Sequence, residues 1–115
     1  MKTLLKIASL GEAATGLVLL IYPPIVIRLL FGGVIAGAGV IMSRIAGISL
    51  IALGVACWPN VDAGQPFYGM LTYSTLAMLY LVVLGAGGTG GVLLWPGVVA
   101  HAALCGLLVR ARLLR

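Results

Sequence analysis

The chain has 115 residues; 63% are hydrophobic, 8% are charged, and the net charge is +5. An average soluble domain is about 25% charged, and seven Lys or Arg with two acids cannot keep a sphere of this size wet. A soluble globule and a disordered chain are excluded, which leaves an integral membrane protein whose surface faces lipid.

The first apolar run covers about 4–22, interrupted only by Glu12. Pro23-Pro24 stops it, because proline lacks the amide donor and clashes with the preceding turn. The basic start is that of a signal peptide. However, Glu12 breaks the apolar region and no small-residue cleavage site precedes Pro23. A retained helix is expected. Residues 25–33 are too short to span and carry Arg28 among bulky apolar side chains. They suit a short interfacial helix, a re-entrant turn or a plain loop.

A second run covers about 34–58, broken by Arg44 and stopped by Pro59. Between Asp62 and Arg110 lie 47 residues without Asp, Glu, Lys or Arg. One span needs ~20 residues, so this stretch holds two helices, 67–84 and 92–109, around the turn Gly85-Ala86-Gly87-Gly88-Thr89-Gly90-Gly91. The expectation is all-α: a single domain, 1–115, forming an integral membrane four-helix bundle. Lys2, Lys6, Arg110, Arg112 and Arg115 flank one side, against Arg28 and Arg44 on the other. Both termini are therefore expected in the cytoplasm, with the chain multi-pass in the inner (plasma) membrane. Lys and Arg at helix ends account for the charge without a nucleic-acid partner.

Cys57 and Cys105 are expected toward the reducing cytoplasmic ends of their helices, so no disulfide is expected. With His101 as the lone histidine they make a poor metal set. No nucleophile-and-base set is visible, and the glycine-rich turn lacks the Lys and the strand of a phosphate loop. Neither a metal, a cofactor nor catalytic residues are expected, and catalysis by this chain alone is not expected. Trp58, Trp95, Tyr22, Phe67 and Tyr68 lie at expected span ends as interfacial anchors.

An ionisable residue inside a span is a functional-site hypothesis by default. By rise per residue, Glu12 lies ~10 Å from the cytoplasmic face, Arg44 ~10 Å from the outer face, and His101 near the midplane. Pairing Glu12 with Arg44 offsets the cost of each charge. The alternative has Arg44 snorkelling outward and Glu12 protonated or facing cytoplasmic water. Ala8, Glu12, Thr15 and Leu19 form one stripe. Gly39, Ser43, Gly47 and Ile51 form a small-residue row that admits a close neighbour, as do Gly97, His101 and Cys105. Tyr73 and Tyr80 share a face. A polar cluster of Glu12, Arg44, Tyr73, Tyr80 and His101 is the candidate ligand site. The plainer alternative is small residues packing helices and tyrosine hydroxyls on backbone carbonyls.

The proline after helix 1, Arg28-Leu-Leu-Phe-Gly32, Arg44-Ile-Ala-Gly47 and Leu53-Gly54 resemble the DoxX-like group of small bacterial four-helix membrane proteins. The resemblance covers about half the chain. It implies a non-catalytic accessory subunit or a module that binds a lipid or a quinone. Its partners are then the bilayer and either a larger membrane complex or a homo-oligomer. Four helices and Glu12 in the first also resemble small multidrug-resistance transporters, which implies proton-coupled export through Glu12. This chain departs from them in having no tryptophan in its third span and a one-sided Lys and Arg distribution.

Overall fold

The computed structural model of the chain describes residues 1–115 and is all-helical. Five helices follow in order: α1 (Lys2–Ile21), α2 (Pro23–Phe31), α3 (Ala38–Ala56), α4 (Gly64–Ala86) and α5 (Leu94–Leu113). All but α2 are long and apolar enough to cross a membrane. Only 16 of 115 residues are buried, while Ile41, Ile48, Leu76 and Val99 stand more than half exposed. That surface suits lipid and not water.

The prolines work at a helix start as well as a helix end. Pro23 and Pro24 open α2, where the missing amide costs nothing. α2 closes on Gly32, whose φ of 70° is the left-handed cap that glycine accepts readily. Of residues 25–33, open between helix and loop on sequence grounds, all but Gly33 thus belong to a nine-residue helix and its cap. The glycine-rich turn docks on this helix. Gly91 N–H donates to the Leu30 carbonyl at 2.9 Å, and Leu93 N–H to the Leu29 carbonyl at 2.8 Å. These bonds satisfy carbonyls that α2 leaves unpaired at its end. A side chain at Gly91 would collide with the α2 backbone.

The long helices pack as two pairs, α1 on α3 and α4 on α5, with far fewer contacts between the pairs. The α1–α3 seam is made of glycines. A Cβ at Gly16 would stand 2.5 Å from the Gly47 carbonyl oxygen, and one at Gly54 would stand 2.6 Å from the Ser9 carbonyl oxygen. Backbones this close gain dispersion and carbonyl contacts that lipid does not offer. Thr75 Oγ1 and Cys105 Sγ, 3.5 Å apart, link α4 to α5.

The core sits at the end holding both termini. Leu5, Cys57, Ala63, Phe67, Met70 and Leu108 form it. Around it, Lys2 Nζ donates to the Val61 carbonyl at 3.2 Å, and the Arg112 guanidinium lies 5.5 Å from the Phe67 ring centre. Phe67 is therefore a core residue under a cation and not an exposed anchor, whereas Tyr68 is 56% exposed. α4 starts at Gly64, before the apolar run, because Pro66 fits a first turn. α5 continues past Arg110 and Arg112, which lie in its last turn where cations complement the helix dipole.

Candidate functional site

The two helix pairs do not close on each other. Between them lies a cavity of about 670 Å³, capped by Ile27, Leu30 and Phe31 of α2. From α1 it takes Ala8, Glu12, Thr15 and Leu19, the stripe expected from spacing. From α3 it takes Met42, Ser43, Ala46 and Leu50. α4 contributes Tyr73, Ala77, Tyr80 and Leu81, and α5 contributes Gly97, Ala100, His101 and Leu104.

Glu12, Tyr73, Tyr80 and His101 therefore face one space. Glu12, Tyr73 and His101 each lie near the middle of their helices. α1 begins at Lys2, so Glu12 is deeper than the sequence suggested. The Tyr73 hydroxyl sits next to the Glu12 carboxyl group. The Tyr73 and His101 rings meet edge to face, centroids 5.7 Å apart. Tyr80 is 64% exposed and lies towards the α2 end, at the cavity's rim.

His101 is half-buried, and its Nδ1 is buried with no hydrogen-bond partner. The side-chain hydrogen bonds of the chain lie elsewhere: Thr15 to the Gly11 carbonyl, Ser49 to the Ile45 carbonyl, and the contacts of Lys2, Asp62 and Thr75. Polar groups inside an apolar bundle normally find partners. Of the three buried side-chain polar atoms without a partner, Ser9 Oγ, Ser74 Oγ and His101 Nδ1, that of His101 lines the cavity.

Arg44 does not join them. It is exposed on α3 and lines no part of the cavity, so the expected Glu12–Arg44 pair is absent. The reason is angular. Each helical residue advances about 100°, and Ser43, Ala46 and Leu50 point inward, so Arg44 is turned to the outer side. The seam at Gly16 and Gly47 also places Arg44 level with Leu19 and Leu20, ~10 Å along α1 from Glu12. The effects of Glu12→Gln and Arg44→Gln on unfolding free energy in detergent are expected to add within ~0.5 kcal/mol in the double variant. A larger departure from additivity would mean that the two residues interact.

Among the lining residues that sequence reasoning missed are Ile27, Leu30 and Phe31 of α2, and Ser43 on the inner face of α3. Ser43 was visible only as a small residue in a packing row. Nothing in the α2 segment indicated that it would fold over the bundle. The His, Cys, Asp and Glu side chains gather in no group of three able to hold a metal ion.

No family model matches the chain, and neither a curated protein nor a solved structure matches it.

Proposed function

We propose that this chain is a DoxX-like, multi-pass protein of the inner membrane, with both termini cytoplasmic, that holds a hydrophobic ligand, a lipid or a quinone, between its two helix pairs. It acts as a non-catalytic module. The observation that carries the reading is the cavity, in which 14 of 20 lining residues are hydrophobic and Glu12, Tyr73 and His101 converge at mid-depth. Small-molecule sites have this character: about 300–1,000 Å³, mostly apolar walls and a few polar groups that fix orientation. The short motifs around Arg28 and Arg44 support the family reading. The exposed Arg44 face of α3 supports a partner subunit or a second copy.

Gentle detergent purification from the native host, followed by mass spectrometry of bound lipids and proteins, tests this. One hydrophobic species near one per chain is the expected result, and Tyr73→Phe should deplete it. A chain that purifies with no ligand and no partner would overturn the proposal. A second reading, proton-coupled export, is favoured by Glu12 being the carboxylic acid on the cavity wall. It requires that Glu12→Gln abolish resistance to an exported cation, which ligand storage does not.

A further inference from the structure

The central cavity shares a wall with a second space. Thr15, Leu30, Gly97 and Ala100 also line a side chamber of about 540 Å³ between α1, α2 and α5, which opens to the surface where Val18, Ile25 and Leu93 stand 42–45% exposed. The rest of that chamber is hydrocarbon, including Val18, Ile25, Val26, Leu29 and Leu93. Its one hydroxyl, on Thr15, already donates to the Gly11 carbonyl at 2.9 Å. Polarity is thus divided across the wall. The central cavity offers Glu12, Tyr73 and His101, with His101 Nδ1 lacking a partner. The side chamber offers only apolar surface.

The wall is thin where Leu30 lies over Gly97. A Cβ on Gly97 would meet the Leu30 and Leu81 methyls at 3.7 Å and nothing closer. Ala100 beside it is exposed to open space. The contacts of a Gly97 Cβ are with side chains and not with backbone, and Leu30 lines both spaces, so a turn of the Leu30 side chain is the movement that would connect them. Side-chain turns of this kind are fast.

Building on the ligand-binding reading, we infer that the ligand is a single-chain amphiphile whose head is not an anion. Its head carries a hydrogen-bonding oxygen and sits against Glu12, Tyr73 and His101. Its tail passes Leu30 and Gly97 into the side chamber. The head is not an anion because these residues lie at mid-helix, where lipid penalises a second negative charge beside Glu12 and the cavity wall carries no Lys or Arg to offset it. A phospholipid, with a charged head and two chains, fits neither the depth nor the single passage.

Photolabelling of the full-length protein in nanodiscs tests this. The probes are hexadecanol and butanol, each with a terminal diazirine, and labelled residues are mapped by peptide mass spectrometry. Butanol should label central-cavity residues such as Leu50 and Ala77. Hexadecanol should place its label on Ile25, Leu29 and Leu93. Excess unlabelled hexadecanol should compete this away, and palmitate, with the same chain length and a charged head, should not. Gly97→Val should cut the hexadecanol label in the side chamber by about tenfold or more. Leu30→Ala, which widens the passage, should keep or raise it. The inference falls if the hexadecanol label stays in the central cavity, is indifferent to Gly97→Val, or is competed equally by palmitate. If butanol fails to label the central cavity at all, the ligand-binding reading falls with it.

Discussion

Gly47→Leu separates α1 from α3 and is expected to be strongly destabilising. A Cβ at position 47 would stand 2.5 Å from the Gly16 carbonyl oxygen, 2.8 Å from the Leu20 nitrogen and 3.0 Å from the Leu19 Cβ. Two of those atoms are backbone, so no side-chain rotation makes room. Overpacking a core costs about 1–3 kcal/mol, and contacts with rigid backbone belong at the upper end. In lipid there is no hydrophobic gain from simply keeping the helices together; close packing is what holds them. The loss is therefore of the pairing itself. Gly16→Leu should behave the same way, because its own Cβ would stand 2.5 Å from the Gly47 carbonyl oxygen. Gly106→Leu is the control, since nothing lies within 4 Å of a Cβ there. Unfolding titrations in mixed micelles should show a large fall for positions 16 and 47 and almost none for 106. Equal losses at all three would mean that added side-chain bulk anywhere on the bundle, and not the seam, controls stability, since leucine has the higher helix propensity at each position.

The seam shows what sequence can and cannot display. Long apolar runs, prolines and a glycine-rich turn are local signals, and the four long helices follow from them. Gly47 stood out because Gly39, Ser43 and Gly47 recur every fourth residue. Gly16 has no such row, so its partnership with Gly47 was invisible. That α1 pairs with α3 and α4 with α5 depends on contacts between residues far apart in the chain, and these leave no periodic mark. The same limit governs the candidate site. Glu12, Tyr73, Tyr80 and His101 share one cavity because each lies on the inner side of its helix. Arg44 was grouped with them on depth and charge alone, and depth does not fix rotation about the helix axis. Phe67 looked like an interfacial aromatic because it begins an apolar run. The structure buries it to 4% exposure, beneath Arg112 from the other end of the chain. Gly91 had the composition of a plain turn. Its lack of a side chain matters because α2 lies against it, and the position of α2 is a tertiary fact.

Glu12→Leu is expected to stabilise the fold while abolishing ligand retention. Glu12 lies at the middle of a spanning helix, on a cavity wall with no Lys or Arg, and Arg44 is turned away from it. A charged side chain at mid-span costs ~2.5–3.5 kcal/mol on insertion scales. Replacing Glu12 by leucine should therefore raise the unfolding free energy by ~1–3 kcal/mol. The same change removes a polar contact for the ligand head, and leaving a buried polar group unpaired costs ~1–3 kcal/mol. Retention of the co-purifying species should fall by about tenfold or more. Opposite signs in the two measurements mark a residue that is present for function at the expense of stability. Glu12→Gln separates shape from charge: it should keep most of the ligand if the carboxyl acts as a hydrogen-bonding group, and lose it if the acid itself is needed. A Glu12→Leu chain that unfolds more easily than the parent would show instead that Glu12 holds a structural partner. In that case the cavity would be a packing defect around that partner and not a binding site.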